Sequence, residues 1–363
     1  MQTHPERGAR MLAGVPEMSE VAAAVRHHHE NWDGSGYPAG LAGEQIPLAS
    51  RIIRVADAYD ALTSPRPFRE ALDHDTAVAR LKEMSGTHFD PEAVRAFCNL
   101  EALSKIRRGV ADAARGEARW LAAGAHANAG FVSHVELVGQ VMCDPAFASL
   151  ALREANADKS SEPTASLETA CARLGEERLR AVVSKTCAHN SHGPDDSQFR
   201  EHSLRCAVAA RLLAEQTGVV APGDAYTLGL LHDIGEILLC SLFPEEMENI
   251  IWLGEDARLE REVAAFGVDH AQIGQWVLEA FRIPRALGAA VQTHHDAMRI
   301  NAPAALLLHM ANVIACADSP TEITALDALG SDRLALLRLS RSNLARIHEC
   351  TAETVEGRWV ITV

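Results

Sequence analysis

One internal repeat constrains this chain more than any other feature. The segments HPERGARML…AAVRHHHE and HAQIGQWVL…AAVQTHHD superimpose without a gap once His4 is laid on His270. In that register Gly8 falls on Gly274, and Ala23, Ala24 and Val25 on Ala289, Ala290 and Val291. His28 and His29 fall on His294 and His295, and Glu30 on Asp296. A single matched histidine pair would mean little. Histidines, a glycine and an apolar face matched in one register imply a unit that folds the same way twice. Each copy then reaches a further apolar segment, SRIIRVADAYDAL with Asp57 and ALLLHMANVIACA with Asn312. The stretch from His29 to Asp57 is longer than that from His295 to Asn312, so the first copy carries an insertion, which includes DGSGYP. Upstream of His270 the second copy also holds His232 and Asp233, and before them His202. The matching points in the first copy would fall ahead of Met1, so the first copy is expected to lack its leading helices.

The repeated unit reads as helical. SEVAAAVRHHHE, LASRIIRVADAYDALT, LRCAVAARLLAEQ, AQIGQWVLEAF and APAALLLHMANVIACA place apolar residues at three- and four-residue spacing. Ser19 and Ser50 are read as opening such runs, and Asp90-Pro91 as an N-cap followed by proline in the first turn. Alternating strand-like runs are scarce, and RWVITV at the C-terminus is the best candidate. The predicted class is all-α. The expected organisation is a first domain over residues 1–99, a connecting helix and linker over 100–127, a second domain over 128–325 and a tail over 326–363. NADKSSEPTAS and CAHNSHGPDDSQ read as loops inside the second domain.

At 363 residues there is enough chain for two domains, each with a sizeable core. The net charge of −15 argues against nucleic acid or an anionic membrane surface as a partner. It leaves room for a phosphorylated small molecule in a local arginine pocket. Eight cysteines are scattered singly with no CxxC pair, as expected of reduced thiols in a cytoplasmic protein. MQTHPERGAR lacks the apolar core of a signal peptide. No apolar run is read as long enough to span a bilayer.

Six residues of the second copy suggest chemistry: His202, His232, Asp233, His270, His294 and His295. A mixed imidazole and carboxylate set suits iron, manganese, zinc, cobalt or nickel. One or two such ions would lower the pKa of a bound water for attack on phosphorus. An adjacent His-Asp pair within a helix cannot point both side chains one way, so it is expected to straddle the site. In the first copy His4, His28, His29 and Asp57 offer four N/O ligands. The DGSGYP loop brings Tyr37 as a stacking or hydrogen-bonding group, and DALTSPRPFRE brings Arg66 and Arg69, suited to a phosphodiester. For any one of these histidines the competing reading is a surface residue or a satisfied core residue.

HPERG, HHHENWDGSGYPAGLAGEQIPLASRIIRVADAYDALTSPRPFR and GTHFDPEAV closely resemble the C-terminal two-thirds of an HD-GYP domain over about residues 1–97. DPAFASLALREAN, SLETACARLGEERLRAVV, GLLHDIGEILL, FGVDHAQIGQWVLEAFRIP and the later HH resemble an HDOD domain over about residues 128–325. The resemblance implies two helical domains of the HD superfamily in tandem. It implies metal-dependent hydrolysis of cyclic di-GMP to the linear dinucleotide or GMP, with iron or manganese as the preferred metal. His4, His28, His29 and Asp57 would be metal ligands, and Tyr37, Arg66 and Arg69 would contact the dinucleotide. The family's leading Glu, His, His-Asp and Lys have no counterpart before His4. In the second domain, Asn312 stands where a closing Asp ligand is expected, and Glu236 where a Lys often follows HDIG. Three readings follow: a cyclic di-GMP phosphodiesterase with an HDOD regulatory domain, a non-catalytic signalling protein binding a nucleotide or protein partner, and a phosphohydrolase using the second site.

Overall fold

The computed structural model describes residues 3–12, 15, 18–64, 70–116, 133–158, 160–187, 196–295, 302–317, 319, 337 and 339–355. Among them all regular structure is helical, and the only bridge of strand type is the isolated Ser85–Phe89 pair. The strand expected in RWVITV lies outside the described residues, as do 117–127 of the expected linker and the first residues, 128–132, of the expected second domain. The chain divides into two compact units, residues 1–103 with 264–267, and residues 104–263 with 268–363.

The first unit holds α1 (His4–Leu12), α2 (Ser19–His27), a short 3-10 turn (Gly43–Gln45), α3 (Leu48–Thr63), α4 (His74–Glu83) and the start of α5 (Pro91–Arg115). α5 opens as its sequence predicts: Asp90 accepts from the backbone N–H of Glu92 at 2.8 Å, and Pro91, which has no N–H to leave unpaired, takes the first position. The two serines act otherwise. Met18 precedes α2 without a side-chain cap, and Ser50 lies inside the first turn of α3. Its hydroxyl is buried and donates to Ala24 O at 3.0 Å, tying α3 to α2. Val55, Leu81, Phe89, Ala93 and Val94 form the core, with Tyr59, Leu62 and Phe97 packed against it.

The second unit takes the remainder of α5 and then α6 (His134–Cys143), α7 (Pro145–Ala155), α8 (Leu167–Cys187) and α9 (Asp196–Thr217). α10 (Pro222–Leu231), α11 (Ile234–Leu242), α12 (Pro244–Glu248), α13 (Glu255–Phe266), α14 (His270–Ala280), α15 (Arg285–Thr293), α16 (Pro303–Cys316) and α17 (Arg341–Glu353) follow. α9 packs against α10, α16 and α17. A Cβ on Gly229 would lie 2.6 Å from Cys206 O, so only glycine lets α9 and α10 approach this closely. The NADKSSEPTAS loop is closed by Asn156, which donates to Thr164 O and Phe281 O and accepts from Thr164 N. Contrary to the sequence reading, one stretch, residues 222–242, is long and apolar enough to cross a membrane. It spans α10 and α11, and 78% of that window is buried inside the structure.

The repeat survives folding. The register that lays His4 on His270 carries the first residue of α1 onto the first of α14, and both bounds of α2 onto those of α15. Asp57 and Asn312 are each the tenth residue of their helices, α3 and α16. Gly8 faces Val25 as Gly274 faces Val291: a Cβ would meet the valine Cγ1 at 2.9 Å in one copy and 3.0 Å in the other.

Candidate metal centres

Both histidine doublets sit where a helix ends: His28 follows α2 and His294 follows α15. There the ring Nδ1 reaches back to a carbonyl three residues earlier, Val25 O at 2.6 Å in one copy and Val291 O at 2.6 Å in the other. His232 does the same with Gly229 O at 2.8 Å. An imidazole whose Nδ1–H is donated to a carbonyl carries its lone pair on Nε2, the tautomer a metal needs.

In the second unit these Nε2 atoms converge on Asp233. Oδ2 lies 3.1 Å from His232 Nε2 and 3.7 Å from His202 Nε2, while Oδ1 lies 3.3 Å from His270 Nε2 and 3.5 Å from His294 Nε2. His202 and His232 approach to 3.1 Å, and His270 and His295 to 2.8 Å, each pair through Nε2. One carboxylate thus faces two ligand groups, His202 with His232, and His270 with His294 and His295. The expectation that the His-Asp pair straddles the site from within a helix is corrected. His232 and Asp233 occupy the break between α10 and α11, and that break lets both side chains reach one centre. Gly235 makes room for it, since a Cβ there would lie 2.0 Å from His270 O.

These residues fit a bound cation. Asp233 Oδ1 and His294 Nε2 are buried and have no hydrogen-bond partner, a costly state unless an ion completes them. Bonds of about 2.0–2.1 Å to a four- or six-coordinate ion put neighbouring donors roughly 3.0–3.4 Å apart, close to the spacings seen here. Behind the rings stand carboxylates that the sequence reading missed. Glu262 Oε2 lies 2.7 Å from His270 Nδ1 and Glu255 Oε1 2.5 Å from His295 Nδ1. Their signal was a spacing of seven on α13, two turns along one face. Glu236, which stands where a Lys often follows HDIG, is buried and paired with Arg258 at 3.0 Å. Asn312 is buried, its Oδ1 3.8 Å from Cys316 Sγ.

The charges follow from this packing. Burial opposes a proton on His270, but Asp233 and Glu262 outweigh it and hold its pKa up at about 10. His295 has burial and the neighbouring His294 against it and falls to about 3. His202 falls to about 4, through burial and then His232. Asp233 stays well below its usual value: burial works against its charge, and His232 leads the groups that overcome it.

The first unit builds the smaller cluster. His4 Nε2 lies 3.3 Å from His28 Nε2 and 3.1 Å from His29 Nε2. These three donors form a group able to hold an ion. Asp57, expected as the fourth ligand, is exposed and outside that group, and acts on His29 through its charge. Tyr37 stands over His29, ring centroids 5.0 Å apart at 31°. Its loop is held by Glu30, which is buried and accepts from the backbone N–H of Ala39 at 2.7 Å and Gly40 at 3.1 Å. Gly36 is required, because a Cβ there would meet Asn31 N at 2.3 Å. Arg66 and Arg69 lie outside the described residues. Arg54, not singled out in the sequence, is the described cation next to the cluster: it donates to Asn31 at 3.0 Å, and its charge helps to lower the His29 pKa to about 4, after burial and His28.

Comparison with known families agrees with this architecture. Residues 1–93 match the HD domain family and residues 128–297 the HDOD domain family. The chain therefore carries an HD domain followed by an HDOD domain, both helical members of the HD superfamily. A cyclic di-GMP phosphodiesterase of Vibrio cholerae is 46% identical over 108 residues, which cover 28% of this chain and 22% of that protein. The cyclic di-GMP phosphodiesterase response regulator RpfG of Xanthomonas campestris is 48% identical over 99 residues, covering 27% of this chain and 26% of that protein. The chain thus spans about a quarter of the length of these curated relatives. The crystal structure of a fragment of the MmoQ response regulator from Methylococcus capsulatus is 27% identical with a TM-score of 0.51, covering 66% of this chain and 92% of that one.

Proposed function

We propose that the chain acts in cyclic di-GMP signalling, its HD unit engaging the dinucleotide as a metal-dependent phosphodiesterase and its HDOD unit serving as the regulatory module. The observation that carries this reading is Tyr37, stacked on His29 beside three converging imidazoles, on a loop that only the first copy has. His4, His28 and His29 would hold the ion there, with Asp57 outside that group acting on His29 through its charge, and the His202 to His295 group with Asp233 would hold one or two more. Iron or manganese suits these N/O donors best, with zinc, cobalt and nickel as further candidates. Such an ion, when bound, supplies Lewis acidity at a phosphoryl oxygen and a hydroxide near neutral pH. The chain's own residues orient the substrate. Tyr37 offers an aromatic face to a guanine, Arg54 sets a positive charge beside the cluster, and Arg66 and Arg69 are assigned to the phosphates. Signalling protein partners and a cytoplasmic location belong to the same proposal.

A second reading has its own support. Among the described residues, no carboxylate joins the three-histidine group within 4.8 Å, which favours a unit that binds the dinucleotide without cleaving it. Incubation of the full chain with cyclic di-GMP and manganese or iron separates the two. The first reading expects the linear dinucleotide or GMP from wild type and none from His28→Ala. Tyr37→Ala is expected to weaken binding by about 1–3 kcal/mol, the usual worth of a base–aromatic stack. Binding without turnover selects the second reading, and absence of both sinks the two together.

A further inference from the structure

We propose that α13 carries the positioning residues of the second unit's centre, with Glu262 setting His270 and Glu255 setting His295, each from behind the ring. The inference rests on reading that centre as a metal site. Glu262 has no exposed side-chain surface and spends both bonds on one residue: Oε2 accepts from the His270 backbone N–H at 2.8 Å and lies 2.7 Å from its Nδ1. Capping α14 does not require it, because Asp269 already accepts from Gln272 N at 2.7 Å. What Glu262 adds is a fixed ring and a fixed tautomer. Glu255, two turns earlier on the same face, does this for His295 at 2.5 Å. With both Nδ1 atoms so committed, the two Nε2 atoms face each other 2.8 Å apart and are the ring positions left for a cation.

Arg258 lies between the two glutamates on this face of α13. Glu236, Glu262 and His270 could themselves hold an ion, since their ligand atoms lie within 4.8 Å of one another. Arg258 binds Glu236 at 3.0 Å and so leaves Glu262 as the carboxylate bonded to the ring. His232 and His294 are oriented by main-chain carbonyls, which any helix end supplies. His270 and His295 are oriented by carboxylates, which also raise the basicity of the ligand nitrogen.

The test is a Co2+ titration of the full chain, followed by ligand-field absorption in competition with a chelator, in a His29→Ala background that silences the first cluster. Glu262→Gln and Glu255→Gln are each expected to bind Co2+ about 10–100-fold more weakly. The metal-free melting temperature of Glu255→Gln should match that of its parent. No Co2+ binding by the parent would overturn the metal reading itself. Binding by the parent, with undiminished affinity in the variants, would overturn the positioning role alone. A variant that melts lower without metal yet binds Co2+ normally has a structural residue at that position, which also overturns the assignment. Should Glu262→Gln fail to fold, Glu255→Gln at the exposed rim decides.

Discussion

His4 and His29 lie 4.8 Å apart with their rings at 81°, and His270 and His295 repeat both values. His28 and His29 lie 4.1 Å apart at 38°, His294 and His295 3.7 Å apart at 43°. Around these matched rings the two units diverge. His270 and His294 are fully buried, whereas His4 is exposed and His28 half-buried. Met11 is 84% exposed, while Val277, at the corresponding position, is wholly buried. The ring geometry therefore belongs to the helix pair that repeats, α1–α2 and α14–α15. The burial, the bridging aspartate and the carboxylates behind the rings come from α9 to α11 and α13, outside the repeat. One piece of local structure can present imidazoles, but its surroundings decide how tightly a cation is held.

The sharpest way to break this comparison is through glycine. Gly235→Ala would drive a Cβ to 2.0 Å from a backbone carbonyl, which cannot move aside as a side chain can. A loss of more than about 3 kcal/mol in the second unit is expected, at or beyond the upper end for overpacking. Gly8→Ala meets the terminal methyl of Val25, which can rotate, and should cost about 1 kcal/mol in the first unit. Denaturant unfolding of the two variants checks the order. A costlier Gly8→Ala would mean that the backbone contact of Gly235 with α14 gives way more readily than the side-chain contact of Gly8 with α2.

Next in size is the loop that belongs to the first unit alone. Glu30→Ala would strip the acceptor from two backbone N–H groups, at about 1–3 kcal/mol. Hydrogen exchange at Ala39 and Gly40 should accelerate, while exchange across α14 and α15 stays unchanged. Unaltered protection at those two amides would show that the loop is held by its other bonds, such as Asp33 N to Thr87 O at 2.8 Å.

Much of this was legible because helical periodicity and a constant repeat register are properties of the sequence itself. Leu48–Thr63 folds over the run that its apolar spacing marks, and the three-ring geometry follows from the doublets and their paired helices. The His232–Asp233 break was not legible: the apolar spacing runs on through it, and the turn is made by packing of Gly235 against α14. Glu255 and Glu262 were not singled out in the sequence, because a spacing of seven on a charged helix does not say which residues are buried, and Glu262 is. Asp57 was placed by its position on the further apolar helix of the first copy as well as by resemblance, and position on a helix does not settle the reach of its side chain.

The smallest expected effect is the pH dependence of the metal-free chain, and it again separates the units. His29 has a folded pKa of about 4 against 6.5 for the free residue. As pH falls below 6.5, the unfolded chain takes up that proton first, so stability is lost from 6.5 down to about 4 and is fully present above. His202 at about 4 and His295 at about 3 act in the same direction in the second unit. His270, at about 10, acts in the opposite direction. The folded state keeps a proton that the unfolded chain releases above pH 6.5, so this contribution is lost as pH rises towards 10. The first unit should therefore weaken on the acid side through His29, and modestly, because that residue is only half-buried and its charge is screened. The second should weaken on both sides of pH 6.5. Melting curves in chelator at pH 5, 6.5 and 9 test this. A second-unit transition that climbs steadily to pH 9 would show that His270 is not held protonated between Asp233 and Glu262, and would remove the electrostatic half of the contrast between the two clusters.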